Sequence, residues 1–171
     1  MSKVFILSDL HLGHHNILKY RSGFSSIEEH DNVLLDNIFT TVGKRDILIM
    51  LGDIFFEESY IDRLKSSVRG QISRYILGNH DIAGKVVAEH FNVMGPHKYK
   101  GYWLTHIPMH PAELFGKLNI HGHVHTNNIP DKNYFNASVD NISFKPIEFN
   151  MIKEIMADPN YDPMRCITEH V

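Results

Sequence analysis

Thirteen histidines occur in this 171-residue chain, and several of them lie beside aspartate or asparagine in short motifs. Imidazole, carboxylate and amide side chains are suitable ligands for a hard-to-borderline divalent metal such as Mn, Fe, Zn or Co. The candidate ligands are Asp9, His11, Asp53, Asn79, His106, His123 and His125. Seven side chains are too many for one ion, whereas two ions that share one carboxylate would use them. Two such ions can polarise a phosphoryl group and hold a bridging hydroxide for in-line attack.

The spacing of these residues predicts how the backbone presents them. The outer residues of D-L-H at 9–11 and of H-V-H at 123–125 alternate with an apolar residue, so each pair is predicted to point the same way from an extended stretch. A glycine precedes Asp53, Asn79 and His123, which allows the chain to turn tightly there.

The apolar segments predict the elements that position these loops. Continuous apolar runs predict buried strands at 3–8, 46–51 and 72–77. Helical spacing predicts helices at 26–42, with Ser26 as N-cap, at 57–68 and at 82–89. Shorter segments typical of β structure follow at 99–105, 118–121, 134–138 and 145–149. This order favours α/β layers, with polar residues at the ends of successive strands, where open α/β sheets place their sites.

The ordered set D-x-H, G-D, G-N-H-D, a lone His and G-H-x-H resembles the calcineurin-like metallophosphoesterase family, and its short bacterial and phage-type members most. The resemblance spans residues 9–125 and implies a four-layer α/β/β/α sandwich, with two packed sheets flanked by helices. The sequence contains no linker, so we predict one domain over 1–157 and interpret 158–171 as a C-terminal tail.

The same resemblance implies how the ligands are shared between two ions. One ion would be held by Asp9, His11, Asp53 and His125, and the other by Asp53, Asn79, His106 and His123. Asp53 would then bridge the ions. Mn is favoured, with Fe, Zn, Ni or Co as alternatives.

His80 matches the catalytic histidine of the family, which contacts the phosphate and can protonate the leaving oxygen. The predicted catalytic residues are therefore His80, Asp53 and Asn79, and the predicted substrate-binding residues are His14, Asn79 and His80. Protein phosphatases of the family carry a second aspartate three residues after that of G-D, where this chain has Phe56. Either Asp81 or another carboxylate then supports His80, or the acid role is weaker.

The remaining polar residues receive structural interpretations. Asp81 is predicted to cap the helix that follows it, and Arg21 to be solvated or hydrogen-bonded away from the chemistry. His121 is predicted to pack within a strand. The histidines predicted to lie on the surface are His30, His90, His97 and His170.

Composition narrows the class of partner. The formal net charge of −3 gives no global basic field, so a long nucleic acid is not expected as a partner. No apolar run approaches membrane-spanning length, so no membrane partner is expected. The single cysteine excludes an internal disulfide and fits a cytoplasmic location. Homo-oligomer formation stays open.

The sequence thus predicts a dinuclear-metal phosphoesterase that hydrolyses a small phosphodiester, such as a nucleotide, by bridging-hydroxide attack. A phosphomonoesterase of the same mechanism is the nearest alternative. A nuclease and a non-catalytic binding protein are less favoured.

Overall fold

Two β-sheets form the centre of the protein in the computed structural model, which describes residues 1–81 and 84–167. The strands of the first sheet are β1 (Val4–Leu7), β2 (Ile47–Met50), β3 (Gln71–Ile76), β4 (Val93–Met94) and β9 (Ile147–Glu148). Those of the second sheet are β5 (His97–Tyr99), β6 (Tyr102–Leu104), β7 (Leu118–His121) and β8 (Tyr134–Asn136). The helices of the described residues are α1 (Ile27–Thr41), α2 (Tyr60–Ser67), α3 (Gly84–His90) and α4 (Phe149–Ala157).

The strand order brings many carboxyl ends to one edge. The first sheet runs β4-β3-β2-β1-β9, with β1 to β4 parallel and β9 antiparallel to β1. The second sheet runs β5-β6-β7-β8, with β6, β7 and β8 parallel. A parallel bridge between Ser8 and Ser138 joins the ends of β1 and β8, so the two sheets meet at that corner. The loops after β1, β2, β3, β6, β7 and β8 can therefore converge.

Strands β1 and β2 have continuous apolar sequences because their side chains form part of the core. Side chains of β1 and β2 such as Ile6, Leu7, Leu48 and Ile49 are fully buried, since parallel strands are covered on both faces. The predicted α/β/β/α class, two mixed sheets flanked by helices, is confirmed.

Helix α1 begins as the sequence predicts. Ser26 is the N-cap, and its side chain accepts a hydrogen bond from the Glu29 N–H at 3.1 Å. His30 and Asp31 follow in the helix and are both fully buried. The prediction of a surface location for His30 is therefore wrong.

Several element predictions need correction. The segment 99–105 does not form one strand, because Lys100 and Gly101 have φ of +47° and +92° and turn the chain between β5 and β6. The strand predicted at 145–149 shortens to β9, and α4 follows it without having been predicted. Its apolar residues at 149, 152, 155 and 156 have helical spacing, which is the signal that could have found it.

The C-terminal segment stays close to the body as far as it is described. The Tyr161 hydroxyl donates to the Tyr134 carbonyl at 2.9 Å, and the Ile167 N–H donates to the Asn141 carbonyl at 2.7 Å. Residues 168–171, with His170, and the first two residues of the predicted helix 82–89 lie outside the described residues. The division at 157 stays a prediction. Across residues 1–81 and 84–167, no helix combines the length and apolar character that a membrane crossing needs.

Candidate metal centre

The predicted ligands meet at the shared edge of the two sheets in two groups. The donor atoms of Asp9, His11 and His125 all lie within 4.8 Å of one another, and we call these residues the first donor group. Those of Asp53, His106 and His123 do the same and form the second donor group. Four of the donor residues are deeply buried, namely Asp9, His11, Asp53 and His106, whereas His123 and His125 are half-buried.

The Asp53 carboxylate lies between the two groups. Its Oδ2 atom is 3.8 Å from Nε2 of His11 and 3.4 Å from Nε2 of His106. Its Oδ1 atom accepts the His80 N–H at 2.8 Å, which fixes the orientation of the carboxylate. One side chain therefore contacts a member of each group.

Asn79 completes the second donor group. Its Oδ1 lies 3.0 Å from Nε2 of His106 and 2.9 Å from Nδ1 of His123. His106 Nδ1 donates to the Leu51 carbonyl at 2.8 Å, so Nε2 of the neutral ring carries a lone pair. Several electron-rich atoms thus converge on one point, which is an arrangement that suits a bound cation.

His11 provides a second test of the fit. It is 3% exposed, and neither ring nitrogen has a hydrogen-bond partner among the residues that the structure describes. Burial lowers the pKa of His11 to about 3, so the ring is neutral at physiological pH. Since buried polar atoms are nearly always satisfied, a metal ion is the partner that this donor set fits.

The backbone of the ligands is unusual. Positive φ angles between +49° and +72° occur at Asp9, His11, Asp53, His123 and His125. The extended conformation predicted for the two alternating motifs is therefore wrong, because all four of their donor residues are left-handed. Such conformations cost about 1–3 kcal/mol each and persist where the surroundings enforce them, often at functional sites.

The preceding glycines serve two different purposes. Gly52 has φ of +94° and supplies the tight turn that the sequence predicts. Gly78 is needed for space, because a Cβ atom there would overlap the Asp53 carboxylate. Gly122 is likewise close to the side chains of Ser8 and Asp9.

Asp81 stabilises the loops that carry the donor residues. Its carboxylate accepts hydrogen bonds from the N–H groups of Asp53, Ile54 and Gly78, and from the Tyr75 hydroxyl, at 2.7–3.0 Å. It therefore ties the loop after β2 to the loop after β3. These hydrogen bonds do not include the His80 ring, and the predicted helix cap involves residues 82 and 83, which lie outside the described residues.

Phe56 takes the place of the second aspartate in this site. Its ring stacks on His14 at 4.0 Å between centroids and on His80 at 5.5 Å. The exposed His80 ring is therefore positioned by an aromatic surface, and His14 is brought next to it. Phe55, by contrast, is fully buried in the core.

Two residues that the sequence did not connect with the site support the first donor group. Asp140 accepts a hydrogen bond from His125 Nδ1 at 2.8 Å, and Arg21 contacts Asp140 through two parallel bonds of 2.8 Å. Burial raises the pKa of Asp140, but hydrogen bonds from His125 and Arg21 outweigh it and hold that pKa well below its usual range. Arg21 and Asp140 are 119 residues apart in the sequence, so no local sequence pattern indicates the contact between them.

Two clefts flank the donor groups. One, of about 400 Å³, lies beside the first group and is lined by residues including His11, His14, Tyr20, His80 and Asn127. The other, of about 500 Å³, lies beside the second group and is lined by residues including Leu77, Met94, Pro96, His106 and Ile107. The first cleft lies at the β1–β8 corner, and the second lies at the ends of β3, β4 and β6.

Two further histidines, His110 and His121, have structural contacts. His121 is buried in β7, as predicted, and its Nδ1 donates to the Gly122 carbonyl at 2.8 Å. His110 accepts the Ala112 N–H at 3.2 Å and caps a 3-10 turn at Pro111–Glu113.

A family model described as calcineurin-like phosphoesterase matches residues 2–163, and the chain belongs to that family. Family membership and the two donor groups together support a metal-dependent phosphoesterase that uses two divalent ions. The resemblance inferred from the motifs is thereby confirmed.

The names of individual relatives state no activity and no substrate. An uncharacterized protein of Methanocaldococcus jannaschii is 33% identical over 168 residues, which cover 91% of this chain and 92% of that protein. The gene 66 protein of Mycobacterium phage L5 is 33% identical over 118 residues, 61% of this chain and half of its own length. The crystal structure of a protein of unknown function from Aquifex aeolicus shares the fold, with a TM-score of 0.70 and 24% identity, and the match covers 91% of this chain and 100% of that one.

Proposed function

We propose that the protein hydrolyses a small phosphodiester, such as a cyclic or modified nucleotide, with two divalent cations bound at the donor groups. The observation that carries the proposal is the position of Asp53, whose Oδ2 lies within 4 Å of a histidine from each group. A carboxylate in that position can be shared by two ions, with Mn favoured. When bound, the two cations would polarise the phosphoryl group and lower the pKa of an attacking water.

The residues of the chain would carry out the remaining steps. His80 is exposed at the mouth of the first cleft, and its backbone is held by Asp53. It would donate a proton to the leaving oxygen as the ester bond breaks. His14, whose ring stacks on Phe56 as that of His80 does, would bind a phosphoryl oxygen, and Asn79 would orient the same group.

The two clefts support a diester rather than a monoester. A phosphodiester has an organic group on each of two oxygens, and here a cleft lies on each side of the donor atoms. A monoester would need only one of them. The net charge of −3 also favours a small substrate over a long nucleic acid.

The test is hydrolysis of bis-p-nitrophenyl phosphate and p-nitrophenyl phosphate by chelator-treated protein, with Mn, Ni, Zn and Mg restored one at a time. Metal-restored hydrolysis with a higher kcat/KM for the diester is expected. A preference for the monoester would favour the phosphatase alternative. Stoichiometric metal binding without hydrolysis of either ester would contradict an enzymatic role. Asp62→Ala, on the exposed surface of α2, is a suitable control variant.

A further inference from the structure

A chain of polar side chains passes behind the first donor group, inside the protein. It runs from Asp31 through His30, Arg21 and Asp140 to His125, with each neighbouring pair 2.7–2.8 Å apart. Arg21 is 3% exposed, and His30 and Asp31 are fully buried. We refer to these five residues as the buried relay.

Arg21 is the centre of the relay because all of its donors are used. Its Nε and Nη2 donate to the two oxygens of Asp140, and Nη2 also donates to the Asp9 carbonyl at 2.7 Å. Nη1 donates to the Leu10 carbonyl and to His30 Nε2. A guanidinium has five N–H groups, so every one of them has a partner here. The same side chain thus holds Asp140 and the backbone of the D-L-H segment.

The relay also fixes the positions of protons. Because arginine can only donate, His30 Nε2 must accept, and the proton of the neutral ring lies on Nδ1, which donates to Asp31. Asp31 accepts the Gly13 N–H at 3.0 Å with its other oxygen and so anchors the loop after His11. Each member has one consistent hydrogen-bonding role.

At the other end, Asp140 determines which nitrogen His125 offers to the site. Asp140 Oδ2 accepts from His125 Nδ1, from Arg21 and from the Ser138 hydroxyl at 3.0 Å. The proton of His125 is therefore held on Nδ1, and Nε2 keeps its lone pair. Histidine ligands of metals commonly have such a carboxylate behind them, which fixes the tautomer and the ring orientation.

We propose that Asp140 and Arg21 are positioning residues that set the cation affinity of the first donor group and leave that of the second group unchanged. This rests on the proposed function only for the binding of cations. The relay contacts His125 and the backbone of Asp9. In the second group, His106 is held by the Leu51 carbonyl, which the relay does not touch.

The test is calorimetric titration of the full chain, stripped of metal, with Mn²⁺. The wild type is expected to bind two ions. Asp140→Asn leaves one oxygen for four donors, so it should weaken one ion about 10–100-fold and leave the other unchanged. Ser138→Ala removes a single bond to the same carboxylate and should weaken the same ion by a smaller factor. Asp162→Asn, a surface carboxylate beside Arg165, is the matched control and should change neither affinity.

Thermal unfolding of the metal-free variants separates positioning from loss of fold. If Asp140→Asn unfolds near the wild-type temperature, unchanged affinities or an equal weakening of both ions would overturn the proposal. If it does not fold, Ser138→Ala decides by the same criteria. If the wild type is active and Asp140→Asn binds both ions with wild-type affinity, the positioning role is refuted but the proposed function is not. Two bound ions without hydrolysis in the wild type would refute the proposed function alone.

Discussion

The two donor groups are built from the same kinds of side chain but are supported in different ways. The first group lies in front of Arg21 and Asp140, and charged side chains from distant parts of the sequence hold it. In the second group, a backbone carbonyl holds His106, and Asn79 is exposed to solvent. Similar ligand chemistry can thus be organised either by a buried ionic network or by the loops themselves. The two solutions should respond differently to mutation.

The largest effect is expected from the residue that belongs to both groups. Asp53→Ala should remove cations from both and lower kcat/KM by more than roughly a thousandfold, since several kcal/mol of charge stabilisation is lost. Metal analysis and ester hydrolysis measure this, with Asp62→Ala as control. If Asp53→Ala still bound two ions, the two groups would bind cations independently, and Asp53 would not be shared between them.

Arg21→Met tests whether the buried ionic network behind the first donor group stabilises the fold more than the second group does. Removing one partner of a buried ion pair leaves Asp140 charged and uncompensated, so the free energy of unfolding should fall by about 3–5 kcal/mol. Chemical unfolding of the metal-free protein measures the change. His123→Ala in the second group and the surface variant Arg165→Met should each cost less than about 1 kcal/mol. Equal losses for Arg21→Met and His123→Ala would remove the distinction between the groups.

His80→Ala separates cation binding from chemistry. Without a proton donor, kcat should fall by roughly a hundredfold or more, while both groups keep their cations. His90→Ala, an exposed histidine at the end of α3, is the control. Undiminished kcat, measured with a substrate whose leaving group needs protonation, would contradict the acid role.

The smallest effect is expected at Phe56, on the side of the first group. Phe56→Leu keeps an apolar contact but loses stacking on His14 and His80, which is worth about 0.5–1.5 kcal/mol. We therefore expect a decrease of kcat/KM of no more than roughly tenfold. Phe115→Leu, at a ring that is 74% exposed, should have no effect. If Phe56→Leu lowered activity as much as His80→Ala, Phe56 would do more than align the rings of His14 and His80.

The structure brings the predicted ligands together because each follows a strand in a short motif. Apolar runs define β1, β2 and β3, and the polar residues after them must meet at one edge when the strands are parallel. His106 and the HGHVH segment follow β6 and β7 in the same manner.

The supporting residues were not predictable in this way. Arg21 and Asp140 lie 119 residues apart, and nothing in their local sequence indicates an ion pair. The residues around His30 have helical spacing, but this spacing does not show whether His30 lies on the buried or on the exposed face of the helix. The left-handed backbone at the ligands is also a tertiary effect, because residues other than glycine rarely adopt it, although aspartate and histidine do so more often than most. These features depend on packing between the two sheets, which periodicity does not encode.

The left-handed backbone of the donor residues implies a conflict between activity and the stability of the fold. Glycine would adopt the backbone conformation of His125 or Asp9 without steric cost, but it offers no atom to a metal. A random search for thermally robust variants should therefore enrich glycine at these positions and return inactive proteins. The donor atoms that Asp9 and His125 can offer to a cation thus come with a strained backbone at each residue.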